Sequence, residues 1–170
     1  YDSKQLDVYF RKINNKEEVI LDPNIKFKTQ EYYQAGRVNP NPINTIAAYS
    51  EDNDGRRKYI IKFINLVNKQ LISDELKGTT GSVVWNNAGD TVYYLKKDPI
   101  TLITNKVYKH VIGDPQEKDT LVYEEVDPEF SININKTTSK EFLMINIEKT
   151  NSNEIKIVDL NSNKKNLNTF

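Results

Sequence analysis

The single histidine of the chain, His110, is the first residue to consider for catalysis, because imidazole is the commonest general base. It lies among Tyr108, Val111 and Ile112, in a segment whose composition predicts a β-strand. A catalytic triad needs a nucleophile and a carboxylate within hydrogen-bond reach of the histidine. The sequence contains no Gly-x-Ser-x-Gly elbow that would supply the nucleophile. We therefore interpret His110 as structural, without triad partners, and expect no catalytic residue in this chain.

A group of carboxylates, Glu124, Glu125 and Asp127, closes another predicted strand. Neighbouring residues of a strand point to opposite faces, so Glu124 and Glu125 cannot act together as an acid/base pair across one substrate. The simplest interpretation is a solvated strand end. The alternative is a charged contact with another domain, and these three residues are the candidates for such a contact.

Metal and cofactor chemistry finds little support in the sequence. The run 52–55, Asp-Asn-Asp-Gly, begins like a calcium loop, but Arg57 and Phe63 occupy the positions where that loop requires Gly and Glu. The chain has no cysteine, so thiolate sites are excluded. We interpret 52–55 as a turn and expect no metal ion, no cofactor and no other ligand-binding residue that the sequence can name.

The charge balance bears on partners and location. The 24 basic and 24 acidic residues cancel, which argues against nucleic acid or an anionic membrane as partner. No apolar run approaches the ~20 residues of a membrane-spanning helix. The absence of cysteine is compatible with a reducing compartment, and we predict a cytoplasmic location.

Alternation of apolar and polar residues dominates the chain and predicts an all-β fold. A mixed spacing over 64–76 could be helical, but its Asn and β-branched residues favour a strand and a turn. The predicted strands cover 6–11, 17–21, 45–50, 59–64, 82–85, 91–95, 107–112, 121–125, 130–134, 142–147 and 155–160.

The strands also repeat. Lys58, Lys106 and Glu154 stand at the third strand of three similar units, at 48-residue intervals. A repeat of this length with four antiparallel strands per unit is typical of β-propeller blades. An ordinary β-sandwich with a chance spacing is the alternative, and periodicity alone does not separate the two.

Several patches, read in order, resemble a known family. They are Val-Val-Trp at 83–85, Val-Tyr-Lys-His at 107–110 and Val-Tyr-Glu-Glu at 122–125, together with the turn at 50–59 and Thr-Thr-Ser-Lys at 137–140. This series resembles the N-terminal β-propeller of oligopeptidase B, in the prolyl oligopeptidase family of serine peptidases, from about Val8 to about Leu160. The segments 39–44 and 102–105 depart from the family pattern.

The resemblance implies a partial propeller of about three to four blades, roughly half of a seven-bladed ring. We expect a blade end at 1–27 and blades at 28–78, 79–127 and 128–170. The α/β-hydrolase domain that carries the Ser, Asp and His of the family is absent from these residues. The chain begins at Tyr1 rather than Met, and we interpret it as a piece of a longer protein.

Two functional hypotheses follow from the resemblance. In the first, the chain is a propeller segment of an oligopeptidase B-like serine endopeptidase that cleaves short peptides after Arg or Lys. The segment would gate substrate access, would not be catalytic alone, and would have the catalytic domain of its parent chain as partner. In the second, it is a stand-alone β-repeat interaction module or the remnant of a degraded peptidase gene. Because a partial ring leaves strand edges open, we also expect the chain to self-associate edge to edge.

Overall fold

The computed structural model of the chain describes residues 6–29, 31–161 and 167–169. Within these ranges the fold consists almost entirely of strands. They are β1 (Tyr9–Ile13), β2 (Lys16–Leu21), β3 (Gln34–Ala35), β4 (Asn39–Pro40), β5 (Ile46–Asp52), β6 (Tyr59–Asn65), β7 (Leu71–Trp85), β8 (Thr91–Lys97), β9 (Thr104–Val111), β10 (Thr120–Glu124), β11 (Ser131–Lys136), β12 (Phe142–Lys149), β13 (Ser152–Asp159) and β14 (Leu167–Thr169). A helix, α1 (Pro23–Phe27), and a 3₁₀ turn (Gln116–Lys118) complete the described elements.

The first two strands form a hairpin that turns at Asn14 and Asn15. Both residues have positive φ angles, 48° and 62°, as a two-residue turn between antiparallel strands requires. The short helix α1 follows directly. Asp22 caps its N-terminus by accepting a hydrogen bond from the backbone N–H of Asn24, and Pro23 occupies the first turn.

The central sheet contains eight strands in the order β10-β9-β8-β7-β6-β5-β3, and β4 pairs separately with β5. Strand β7 spans two halves of this sheet. It pairs with β6 as far as Thr79, and from there onwards with β8. Gly78 and Gly81 lie in this stretch with φ angles of 70° and 86°, which bend the strand where it changes partner. The blade boundary expected between residues 78 and 79 therefore falls inside one continuous strand, and the blade ranges stay a prediction.

A third sheet, β11-β12-β13-β14, packs on one face of the central sheet. Strand β8 explains how both faces of the central sheet are buried. Tyr93 and Leu95 point into a core shared with β11, β12 and β13, whereas Val92 and Tyr94 point into a second core shared with β5 and β6. Successive residues of a strand alternate between faces, so the apolar run of β8 marks a sheet layer covered on both sides.

Every predicted strand overlaps a described strand, and the all-β prediction is confirmed. The short strands β3, β4 and β14 and the first part of β7 were not among the predicted strands. Residues 64–76 form the end of β6, a turn and the start of β7, as expected. The helix α1 was not predicted, because its five residues are too few to show helical periodicity. In the described part of the chain, no helix is long and apolar enough to cross a membrane.

Candidate functional site

An open groove of about 990 Å³ runs along three segments that are far apart in sequence. One wall is the segment 36–42 around β4, the floor is the C-terminal half of β7, and the opposite wall is the end of β11 with the turn that follows it. Each segment begins a group of antiparallel strands that continues outward from it, so the groove follows the innermost strands of three successive groups. The groove therefore belongs to the arrangement of the sheets rather than to any single loop.

Hydrogen bonds fix the floor and walls of the groove. The indole N–H of Trp85 donates to the carbonyl oxygen of Asn39 at 3.0 Å, and the Asn39 side chain donates to the carbonyl oxygen of Val83 at 3.1 Å. On the other side, the ammonium group of Lys136 donates to the carbonyl oxygen of Trp85 at 3.0 Å and to Oδ1 of Asn87 at 2.7 Å. Both walls are thus tied to the end of β7.

The groove is electropositive. Arg37, Lys136 and Lys140 line it, and none of the described residues that line it is acidic. Burial, together with the nearby charge of Lys140, lowers the pKa of Lys136 below its ordinary value. The chain as a whole carries no net charge, so this local excess of positive charge is compensated elsewhere in the molecule.

A second polar group surrounds His110, at the junction of β7 and β9. His110 is completely buried, and its Nδ1 lies 2.7 Å from Oδ1 of Asp119 while its Nε2 lies 3.2 Å from Oδ2 of Asp74. The hydroxyl of Tyr94 donates to Oδ2 of Asp119 at 2.7 Å, and the backbone N–H of Gly113 donates to Asp74 at 2.6 Å. We call these residues, Asp74, Tyr94, His110 and Asp119, the His110 cluster.

The two carboxylates determine the direction in which the pKa of His110 is shifted. Burial by itself disfavours the imidazolium, but the hydrogen bonds and negative charges of Asp119 and then Asp74 outweigh it and raise the pKa of His110. The Phe63 ring stacks on the imidazole at a centroid distance of 5.9 Å. Because each ring nitrogen is bonded to an aspartate and a phenyl ring covers one face, the imidazole has no free nitrogen with which to serve as a base. The cluster is therefore a structural tie between β7 and β9.

A third cluster contains the buried carboxylate of Glu51, at the end of β5. Its oxygens accept from the ammonium groups of Lys26 at 2.6 Å and Lys62 at 2.7 Å, and from the hydroxyl of Tyr33 at 3.2 Å. Burial opposes ionisation, but these two lysines prevail and hold the pKa of Glu51 below its ordinary value. Because Lys26 belongs to α1, this cluster fastens the N-terminal helix to the central sheet.

The structure gives local partners to the acidic residues predicted as domain contacts. Glu124 pairs with Lys106 at 3.2 Å across β10 and β9. Glu125 accepts from the hydroxyl of Tyr123 at 2.5 Å and from the backbone N–H of Asp127 at 3.0 Å. These residues follow the strand end at one end of the sheet and do not converge on a common site. Their role in a domain contact stays a prediction.

The run 52–55 is a turn, as interpreted from its residue types. Asp52 accepts from the backbone N–H groups of Asp54, Gly55 and Arg57 at 2.8 to 3.1 Å, so its oxygens bond the backbone of the turn. In the described residues, no three His, Asp or Glu side chains are grouped so that they could hold a metal ion.

Sequence reasoning missed both the groove and the partners of His110. Asp74 and Asp119 lie 36 and 9 residues from His110 in sequence, and they become its neighbours only because β8 pairs with both β7 and β9 and β10 pairs with β9. Lys136 and Arg37 are separated by nearly one hundred residues, and neither belongs to a basic run. The 48-residue repeat could have indicated the groove, because it brings the first strand of each unit to the same side.

Antiparallel four-stranded groups that begin on a common groove and stack face to face define an open segment of a β-propeller. The chain belongs to the prolyl oligopeptidase family: residues 2–170 match the model of the prolyl oligopeptidase N-terminal β-propeller domain. The partial propeller is thereby confirmed, and the alternative of a β-sandwich is excluded.

The relatives agree with the resemblance to oligopeptidase B, which is confirmed. Dipeptidyl aminopeptidase BI of Pseudoxanthomonas mexicana is 37% identical over 129 residues, which are 76% of this chain and 18% of that protein. Protease 2 of Moraxella lacunata is 28% identical over 153 residues, 84% of this chain and 22% of that protein. The chain thus spans about a fifth of the length of these relatives.

Solved structures of oligopeptidase B share the fold. The enzyme from Leishmania major superposes with a TM-score of 0.92 at 30% identity, over 98% of this chain and 24% of that one. The enzyme from Trypanosoma brucei, in a closed form with covalently bound antipain, gives a TM-score of 0.83 at 29% identity, over 94% of this chain and 22% of that one.

Proposed function

We propose that the chain is a propeller segment of an oligopeptidase B-like serine endopeptidase that cleaves short peptides after Arg or Lys, and that it controls which peptides reach the catalytic domain. The match of residues 2–170 to the family's N-terminal propeller carries the proposal. Its similarity to oligopeptidase B of Leishmania major supports the choice of this branch. The chain itself contributes no triad residue in this proposal, and its lack of cysteine supports a cytoplasmic location.

One end of the segment is proposed to contact the catalytic domain. The β8–β9 turn and the connection from β10 to β11 lie at the same end of the sheet, since the strands alternate in direction. Ile100 and Val126 expose 89% and 86% of their surfaces there, beside the acidic residues Glu124, Glu125 and Asp127. Exposed apolar side chains rimmed by charges are typical of an interaction surface.

The test uses the complete protein encoded by the gene and two fluorogenic Arg-aminomethylcoumarin substrates. One is a peptide with a blocked N-terminus, and the other is a dipeptide with a free N-terminus. An Arg-aminomethylcoumarin peptide with a blocked N-terminus reports endopeptidase cleavage. We expect it to be hydrolysed, and we expect hydrolysis to be abolished by a serine-directed fluorophosphonate. A complete protein that hydrolyses neither substrate would contradict the proposal.

The second candidate function is a dipeptidyl aminopeptidase. The observation that favours it is the 37% identity to dipeptidyl aminopeptidase BI, which exceeds the identity to Protease 2 and to both oligopeptidase B structures. The same pair of substrates discriminates, because a dipeptidyl aminopeptidase needs a free amino end. Cleavage of the free dipeptide substrate without cleavage of the blocked one would establish this second function.

The stand-alone module remains as the non-enzymatic alternative, and the coding sequence downstream of Phe170 separates it from the peptidase. A Gly-x-Ser-x-Gly elbow there would support the peptidase. A stop codon immediately after Phe170 would support the module.

Edge-to-edge self-association of the isolated chain is also part of the proposal. A segment of a propeller ring ends in edge strands, and an edge strand can serve as a template for pairing with another chain. Light scattering should show a mass that rises with concentration. A constant monomer mass at high concentration would contradict this.

A further inference from the structure

The groove concentrates positive charge without a matching acid. Arg37 and Lys140 are exposed at its two walls, Lys136 lies half-buried between them, and no described lining residue is Asp or Glu. Two buried charged groups elsewhere in the described structure have partners of opposite sign, since Glu51 bonds two lysines and His110 lies between two aspartates. Among the described residues, the groove therefore contains no carboxylate that would compensate its cations.

Lys136 is fixed in a way that keeps donor capacity for a ligand. Its ammonium group has three N–H donors, and it uses two of them on neutral oxygens, the carbonyl of Trp85 and the side-chain amide of Asn87. Neither partner neutralises the charge. An anion in the groove could accept a hydrogen bond from the third N–H of Lys136. Its negative charge would also offset the positive charge of Lys136, which burial and the nearby Lys140 disfavour.

We propose that this groove binds the carboxylate of a peptide, either at its C-terminus or on an acidic side chain. The volume of about 990 Å³ accommodates a short peptide. Backbone and side-chain groups of Ser82, Thr137 and Thr138 supply neutral hydrogen-bonding groups beside the cations. The inference goes beyond the proposed peptidase function, since it concerns binding by this chain with or without an adjoining catalytic domain.

The surroundings favour a peptide over single-stranded nucleic acid. Recognition of unpaired bases uses exposed aromatic faces as stacking platforms. Trp85 lines the groove but is 3% exposed, because its ring packs edge-on against Phe63 and its N–H is bonded to Asn39. The groove thus presents cations and hydroxyl groups; of its two described aromatic side chains, Trp85 is covered and Tyr59 is half-buried.

Trp85 provides a specific probe, because it is the only tryptophan of the chain. We would follow its fluorescence while titrating the chain with three peptides: acetyl-Ala-Ala-Ala with a free C-terminus, the same peptide as the C-terminal amide, and acetyl-Ala-Glu-Ala amide. The free acid or the Glu peptide should bind at least about tenfold more tightly than the neutral amide, as expected for a charge-assisted contact. Which of the two binds more tightly identifies the source of the carboxylate.

Substitutions in the groove test whether its cations cause the tighter binding of the acidic peptides. The double variant Arg37→Gln/Lys140→Gln changes two exposed side chains and should weaken acid binding about tenfold while leaving amide binding unchanged. The matched control, Lys16→Gln/Arg56→Gln, removes the same charges at exposed positions outside the groove and should leave affinity unchanged at physiological salt. Lys136→Gln should have the largest effect, and circular dichroism would verify that this variant folds.

Three results would overturn the inference. Equal affinity for acids and amide, or equal weakening by the groove and control variants, would show that the groove does not select a carboxylate. Tighter binding of an oligothymidylate than of either acidic peptide would reassign it to nucleic acid. Hydrolytic activity of the complete protein has no influence on any of these results, so failure here is distinguishable from failure of the peptidase proposal.

Discussion

The His110 cluster and the groove are two charged regions with opposite designs. In the cluster, the imidazole is completely buried and each ring nitrogen faces an aspartate, so the charged partners lie within the protein. In the groove, three cations share a surface without a carboxylate among its described lining residues. Compensated buried charge is typical of a structural tie, whereas uncompensated charge on an open concave surface is available to a ligand. The comparison separates side chains that hold the segment together from those that can act on a partner.

The largest expected effect is the loss of stability in Asp119→Ala. This change leaves the buried imidazole Nδ1 and the hydroxyl of Tyr94 without their acceptor. Breaking one side of a buried charged network costs about 3–5 kcal/mol, so urea denaturation should show a loss of this size. The control Asp114→Ala, at an exposed residue 3.6 Å from Lys118, should cost less than about 1 kcal/mol. Similar losses in both variants would contradict a structural role for the cluster.

A smaller loss is expected for Glu51→Gln. The amide keeps the shape of the side chain but leaves Lys26 and Lys62 without their shared negative partner. Because both lysines are partly exposed, we expect a loss of about 2 kcal/mol in the free energy of unfolding. Glu31→Gln, at an exposed carboxylate, serves as control. An unchanged unfolding free energy would show that α1 is held by other contacts.

A weaker effect is expected from pH alone. The folded pKa of His110 lies above its unfolded value, so its contribution to stability is fully present below pH ~6.5 and is lost as pH rises through the folded pKa. Urea unfolding from mildly acidic to mildly alkaline pH should show this decline. The groups that face the imidazole are Asp74, Asp119 and, through Asp119, Tyr94. His110→Gln should remove the decline, and its persistence would assign the titration to another group.

The smallest effect is expected for the groove. Arg37→Gln/Lys140→Gln removes cations that have no acidic partner in the groove, so the free energy of unfolding should change by less than about 0.5 kcal/mol or rise slightly. Thermal unfolding beside the wild-type chain measures this. A large destabilisation would mean that these cations are structural, and the contrast with the His110 cluster would disappear.

The fold was largely predictable because its signals are local or periodic. Alternation located most of the strands, and the 48-residue interval indicated repeated units. The full length of β7 was harder to predict, because Gly78 and Gly81 suggest the end of a strand. In the structure, the strand bends at these residues and continues.

The sites were not predictable in the same way. His110 was correctly located in a strand, but its partners Asp74 and Asp119 become neighbours only through the pairing of the strands. Arg37, Lys136 and Lys140 belong to segments that meet only because the sheets stack around a common groove. A local sequence pattern cannot show which distant segments come into contact. Glu124 and Glu125 were selected as candidates because they are adjacent in sequence.

Nuclear magnetic resonance of the ¹⁵N-labelled chain tests the central distinction most directly. We would add acetyl-Ala-Ala-Ala and acetyl-Ala-Glu-Ala amide, each at saturation, and map the amide shifts. The account predicts shifts at residues 80–87 and 134–140, with the amides of His110 and Gly113 unmoved. Shifts centred on the His110 cluster or the β10 edge, or no shifts with either peptide, would contradict it.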